Sequence, residues 1–423
     1  MNKPPLVLFL GSVRKGEFET LQSHGHRLGA ILDTKRHAAL PADAGIELVA
    51  HHDFGDSVES LAPVLDEVRR QFDIVALLNL REFYVRAHSY AAAQLGLPGL
   101  PAEAVDLVLN KTRMRKAFVE ALGERSTPRF RELSTVDEAI AFGRKVGYPL
   151  VLKPNNLYGS LFVSAIHSEL ELREQFAPLC AQVDAHSTAY GVVRTLSPIV
   201  QAEEYVSGTV HSIDCLVDQE QRVYPTPVVD VLTGHDLGQP HFGHVLRRSC
   251  SRLPHAVQHE MAQLATQAVA VLKLRNAAAH VEFIAGANGP RLLEIAARPG
   301  GHRNRVLEMT HGIAFNEQYL RMLLGHRPDL TPRFTRPFAI LTPYPHLELV
   351  FNGLRQRDAV RRLASYHHDE LKVTPGSKIG PARNGYMSSW VIELHHNEAR
   401  VLDADTMWLA EQPDFFKEVP CVS

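Results

Sequence analysis

Two glutamates, Glu282 and Glu294, sit in otherwise apolar segments, HVEFI (280–284) and LLEIA (292–296). Between them lies the turn signal Gly286-Ala287-Asn288-Gly289, so the stretch reads as a β-hairpin. Strand alternation puts His280, Glu282 and Ile284 on one face, and Leu292, Glu294, Ala296 and Arg298 on one face of the returning strand. A three-residue loop, Ala287-Asn288-Gly289, sets Glu282 directly opposite Glu294. Opposed side chains have Cβ atoms about 4.5–5.5 Å apart, and like charges there repel. Two partly buried carboxylates in that position need a proton or a cation. A hard divalent ion with oxygen ligands, Mg²⁺ by default, answers the need. A slipped register with both carboxylates in solvent is the competing reading.

Arg298 follows on the face of Glu294, and a carboxylate-bound Mg²⁺ beside an arginine suits phosphate chemistry. Gly300-Gly301 can turn unhindered backbone N–H groups toward an anion. Lys153 ends the apolar run PLVL, and an inward lysine on a strand takes an anionic partner. The NNLYGS loop after it holds Gly159-Ser160, whose N–H groups could meet phosphate oxygens. G-x-x-x-x-G-K-[ST] is absent, so this is no Walker A loop. Gly11–Gly16 after the first apolar run lacks the G-x-G-x-x-G spacing of a dinucleotide site and reads as a βα turn.

Several elements must position these residues. LVLFL (6–10), RLGAILD (27–33) and IVALLNL (74–80) read as buried strands, with helical spacing over 57–71 and 81–96. That alternation predicts a doubly wound parallel α/β domain. Residues 110–122 form a basic helix. Thr135-x-x-Glu138 is a capping box that opens another. Residues 149–166 read strand, loop, strand, and 168–179 read helix. Residues 199–218 form two strands about Ser207-Gly208, and 255–273 an amphipathic helix. A further helix falls near 313–324. The predicted division is 1–103, an N-terminal α/β domain; 104–206 and 207–330, two central lobes; and 331–423, a small β-rich lobe.

The 423 residues exceed a single core at roughly 150 per domain. Lys plus Arg (45) nearly balances Asp plus Glu (47), which argues against general binding to nucleic acid or anionic membrane. Leu6–Leu10 is shorter than a signal peptide's apolar core, and no run of 18 apolar residues exists. Cys180, Cys215, Cys250 and Cys421 form no C-x-x-C pair, consistent with a reducing, cytoplasmic setting. The 23 histidines raise the question of a transition metal, but His255 and His259 lack the Glu of H-E-x-x-H.

In order, these pieces resemble the ATP-grasp superfamily of carboxylate–amine ligases, over about residues 75–325. GLPGLPAEAVDLVLNKTRMRKAF resembles the approach to the first nucleotide lysine, here Lys111. PLVLKPNNLYGSLFVSAI resembles the second lysine, Lys153, with its phosphate loop at Gly159 and Ser160. QAEEYVSG resembles the adenine hinge, with Glu203, Glu204 and the backbone of Val206. HVEFI and LLEIAARPGG resemble the Mg²⁺ glutamates and phosphate arginine. EIAARPGGHRN and HFGHV are similar to L-amino-acid ligases of the bacilysin-synthetase type.

The resemblance implies an α/β chain, α+β in its core, with the ATP-grasp fold. It implies ATP and Mg²⁺ (Mn²⁺ as substitute), and an amino-acid carboxylate joined to an amine through an acyl phosphate. Glu282 and Glu294 would hold metal; Arg298, Lys153 and His244 would serve catalysis; Gly300, Gly301, His302 and Asn304 would line the substrate pocket. His211 would stand in for an acidic ribose contact. Ala296 occupies a position where the family often has a metal-binding Asn. A homodimer is the expected assembly, without nucleic acid or membrane. Two rivals stay open: a ligase or carboxylase acting on a purine precursor or another small acid, and a nucleotide-binding module without activity.

Overall fold

The run Leu6–Leu10 becomes β1 (Pro5–Gly11), buried on both faces, which is why it carries no polar alternation. The chain is seen in a computed structural model. It describes residues 3–12, 17, 19, 21–22, 25–35, 45–189, 200–239, 241–412 and 414–419. Val13–Gly16 of the expected βα turn and Cys421 lie outside the described residues. β1 joins β2 (Leu28–Asp33), β3 (Leu48–His52) and β4 (Asp73–Leu78) in a parallel sheet of order β3-β2-β1-β4. Helices Ala62–Gln71 and Val85–Leu95 cover one face, through Leu65, Val68, Ala87 and Ala91. The other face, with Val7, Phe9 and Ala30, packs on Phe315, Tyr319 and Leu320 of helix Phe315–Leu323, far along the chain. The N-terminal sheet therefore borrows part of its cover from the region that follows the hairpin.

A second sheet has the order β5-β8-β6-β7, from β5 (Phe130–Leu133), β6 (Leu150–Pro154), β7 (Ser164–Ile166) and β8 (Val200–Glu204). Its cover includes helix Val136–Val146, opened by the Thr135/Glu138 capping box, and helix Glu169–Ala189, ten residues longer than the 168–179 reading at its far end.

The third sheet is built from β9 (Thr209–Val217), β10 (Val223–Pro225), β11 (Val229–Thr233), β12 (His244–Ser249), β13 (Ala277–Gly286), β14 (Gly289–Ala296) and β15 (Phe338–Leu341). Its order is β14-β13-β9-β11-β12-β15, extended by strands Trp390–His395 and Tyr366–Leu371, with β10 on β9. Residues 331–423 thus add strands to the sheet of 207–330, with β15 paired directly to β12, and also form a three-stranded sheet of their own from Leu349–Leu354, Lys378–Ile379 and Phe416–Val419. Pattern reading cannot show such pairing, because it sees each strand and not its neighbour.

The hairpin turn is tighter than the sequence suggested. Gly286 pairs with Gly289, leaving Ala287-Asn288 as a two-residue loop, and Gly289 takes φ +89°. A register shift between Glu282 and Phe283 then restores the Glu282–Glu294 pairing.

Candidate functional site

Four elements converge: helix Lys111–Leu122, the β6 end with its loop, the β13–β14 hairpin, and the loop 298–302. Asn110 caps the helix by accepting from the Arg113 N–H, which places Lys111 at its first turn. Lys111 Nζ lies 3.0 Å from Glu294 Oε1 and also donates to the Leu157 carbonyl. Lys153 Nζ lies 2.7 Å from Glu203 Oε1, and the Arg115 Nε engages the same oxygen. The nucleotide lysines of the expected site therefore each meet a carboxylate from another strand.

Burial pulls the Lys153 ammonium down to about 8, against the opposing pull of Glu203. As pH rises through that value the cation is lost, and with it the attraction for a phosphate. Metal-free nucleotide affinity is expected to fall above pH 8, by at most about tenfold per pH unit. Titration of a fluorescent ADP analogue from pH 7 to pH 9.5 checks it; a flat profile would overturn the pairing of Lys153 with phosphate.

Glu203 is 3% exposed. Burial alone would raise its pKa, but Arg115 and Lys153 more than reverse that and hold it below the usual range. Glu204 is tied to Arg129 and Arg291, so its carboxylate clasps the two sheets together. Val206 lies between β8 and β9, at the passage from the second sheet to the third. Gly159 and Ser160 both take left-handed backbone angles, φ +69° and +58°, in the loop after β6. His211 does not serve the expected ribose contact. Its Nε2 lies 2.6 Å from Thr209 Oγ1 and its Nδ1 2.9 Å from Asp230 Oδ1, so both ring nitrogens are occupied inside the sheet.

The hairpin carboxylates are not left in conflict. Glu294 faces Lys111, and Glu282 Oε1 lies 3.1 Å from His280 Nε2. His244 Nε2 stands 3.5 Å from the same oxygen. Burial would raise the Glu282 carboxyl, but the His280 hydrogen bond and the charges of His280 and Arg303 oppose it and hold it below the usual range. Burial pushes His244 down to about 3, which makes it neutral and a weak base. Burial opposes charge on His280 too, but Asp214 and Glu282 raise its pKa.

The donor set suits a hard divalent cation. Two carboxylates leave the other positions of an octahedral ion to phosphate oxygens and water. Among the described residues, three or more His, Cys, Asp or Glu side chains nowhere converge as a metal cluster, so the many histidines build no such site there.

The loop after β14 departs from expectation in two places. The Gly300 N–H, expected to face a ligand's anion, donates to a carboxylate of the protein itself, Asp214 Oδ2 at 2.8 Å. Asn304 Oδ1 accepts from the Asn316 N–H at 3.0 Å and so joins two helices, Arg303–His311 and Phe315–Leu323. At Gly301 the space around an added Cβ is open. His302 stands at φ +62° just ahead of helix Arg303–His311, a helix the periodicity did not reveal.

Three residues of this region went unread in the sequence. Glu82 is buried just past the β4 end, with Oε2 3.1 Å from Arg298 Nε. Burial pushes its carboxyl up, against Arg298. Its signal was position: it follows the carboxyl end of a strand beside β1, where the strand order reverses. Arg115 donates to the Leu292 carbonyl at 3.0 Å and the Leu293 carbonyl at 2.7 Å, tying helix Lys111–Leu122 to β14. Asp214 was legible only as an acid within the apolar run IDCLV.

Residues 146–305 match the family described as ATP-grasp domain. The alanine–anticapsin ligase of Bacillus subtilis strain 168 is 25% identical over 268 residues, which cover 60% of this chain and 54% of the relative. The chain thus spans about half the length of that curated relative. Over 97% of both chains, the fold superposes on an L-amino acid ligase from Bacillus licheniformis with a TM-score of 0.76 at 20% identity. An N5-carboxyaminoimidazole ribonucleotide synthetase superposes with a TM-score of 0.71 at 13% identity, over 97% of both chains. At such identities the superpositions establish architecture alone. The clamp of two sheets about the lysines and the paired glutamates, together with the match over residues 146–305, shows that this chain has the ATP-grasp fold and carries an ATP-grasp domain.

Proposed function

We propose that the chain uses ATP to join an amino-acid carboxylate to an amine, releasing ADP and phosphate by way of an acyl phosphate. The observation that carries this reading is the Glu82–Arg298 contact of 3.1 Å at the carboxyl end of β4. A cation for a carboxylate and an anion for an ammonium stand side by side, which is the charge pattern of an α-amino acid. Similarity to the alanine–anticapsin ligase supports it.

Lys111 and Lys153 would hold the nucleotide phosphates, and Glu282 and Glu294 would hold Mg²⁺. Bound there, the ion supplies charge neutralisation for the transferring phosphoryl group. Arg298 would balance charge on the acyl phosphate and on the oxyanion formed as the amine attacks. In that attack a C–N bond forms, the bond from the acyl carbon to the bridging oxygen breaks, phosphate leaves with that electron pair, and the amine's proton passes to the departing phosphate or to solvent. The loop after β6 would exclude water from the acyl phosphate. It is tethered from the far side of the cleft, where the Phe162 N–H donates to the Arg383 carbonyl at 3.3 Å. Among the described residues no helix is long and apolar enough to cross a membrane. Cys180, Cys215 and Cys250 are free thiols, in keeping with a reducing cytoplasm.

ADP release with ATP, Mg²⁺ and pooled amino acids tests the reading, with product mass naming the partners. Release is expected with an α-amino acid and not with its desamino analogue, such as alanine against propionate. Glu82→Gln should lower kcat/KM for the amino acid by about 30-fold or more, since removing one partner of a buried charge pair costs about 2 kcal/mol or above. Tight nucleotide binding without ADP release from any pool would overturn the assignment.

A further inference from the structure

We infer that Asp214 is a positioning residue, which through His280 sets the Glu282 carboxylate for metal and through Gly300 sets the loop that carries Arg298. The inference rests on the reading of Glu282 as a metal-binding carboxylate.

Asp214 lies on β9, directly across from His280 on β13, and the next pair on that face is Ser212 with Glu282. Asp214 Oδ1 is 2.6 Å from His280 Nδ1, and His280 Nε2 is 3.1 Å from Glu282 Oε1. Its second oxygen, Oδ2, accepts from the Gly300 N–H at 2.8 Å. One carboxylate, 1% exposed, therefore reaches both arms of the cleft. Arg303 closes the arrangement by donating from Nε to Ser212 Oγ at 2.8 Å.

Two local features make room for this chain of contacts. Gly300 has no Cβ, and one built there would lie 2.4 Å from His280 Nδ1. Ala296 pairs with His280 across β13 and β14 and presents only a methyl group on that face. Groups that orient ligating carboxylates matter to metal affinity by about 10–100-fold when removed.

The test uses the full chain with ADP and Mn²⁺ as an electron-spin-resonance probe, beside metal-free binding of a fluorescent ADP analogue. Asp214→Asn and His280→Gln should each weaken ADP-dependent Mn²⁺ binding about tenfold or more, with metal-free nucleotide affinity within about twofold. Unchanged Mn²⁺ affinity in both variants would overturn the role. So would an equal loss of metal-bound and metal-free nucleotide binding, which marks a merely structural contact. If Asp214→Asn does not fold, His280→Gln decides by the same two measurements. Glu282→Gln separates the two ideas: Mn²⁺ affinity untouched by it removes the metal reading itself, whatever Asp214 does.

Discussion

Glu294→Gln should reduce ADP formation by about 10³-fold while leaving the chain folded. The substitution keeps shape and removes one negative charge. Glu294 is one of two carboxylates facing each other across β13 and β14, and its nearest cation is Lys111 Nζ at 3.0 Å. Charge stabilisation at such a metal site amounts to several kcal/mol of the barrier, and about 4 kcal/mol corresponds to 10³ in rate. The fold should tolerate the change, because Glu294 is only partly buried and Lys111 keeps the Leu157 carbonyl as acceptor. A coupled ADP assay and a thermal melt in parallel check both halves. Retention of more than about a tenth of the rate would sink the metal assignment.

Asp369→Asn should destabilise the chain by about 1–3 kcal/mol, the range for leaving enclosed hydrogen-bond partners unsatisfied, since Arg357 and Arg361 stay partly in solvent. Its side chain is fully enclosed. It accepts from Arg357 Nε at 2.8 Å, Arg361 Nε at 2.8 Å, the Tyr366 hydroxyl at 2.7 Å and Trp390 Nε1 at 3.0 Å. Strand Tyr366–Leu371, which carries it, ends the nine-stranded sheet, so the loss should begin at that edge. Burial would raise the Asp369 carboxyl, but these four donors more than reverse that and hold it far below its ordinary value.

The sign of the pH effect follows. A depressed folded pKa contributes stability above the unfolded value of about 3.9 and loses it as pH falls below that value. Urea unfolding at pH 7 and at pH 3 measures both effects. The wild-type chain should lose more stability over that interval than Asp369→Asn. Equal losses would show that the cluster does not hold this end of the sheet.

Much of the site could be read from spacing because strand alternation is a strong local constraint. Glu282 and Glu294 occur in apolar strands on either side of a glycine turn, and with Phe283 paired to Leu292 in the core it is the register shift between Glu282 and Phe283 that sets the two carboxylates opposite each other. The loop length was misjudged, and a bulge compensated, since the buried pattern is stronger than the turn preference. The capping box at Thr135 was equally legible because both of its partners lie within four residues.

His211 and Asn304 show the limit. Each has the right type and place in the sequence for a ligand contact, yet His211 meets Asp230 and the Asn304 side-chain carbonyl oxygen accepts from the Asn316 N–H, each partner coming from another element. Residue type states what a group can bind, and only its neighbours show what it has already bound. The join of the C-terminal region to the core was hidden for the same reason: β15 reads as a short strand, but its edge is completed by β12.

By itself, the sequence determined most of the strands and the opposed hairpin carboxylates, because periodicity and turn chemistry act over a few residues, while Lys111 was reached only through the family resemblance. The tertiary structure alone decided which charge meets which. It set Lys111 against Glu294, Lys153 against Glu203, Glu82 against Arg298 and Asp214 against both His280 and Gly300. Those pairings span dozens to hundreds of residues along the chain. A buried charge takes its partner from whatever packing brings within hydrogen-bond reach, and no local pattern encodes that choice.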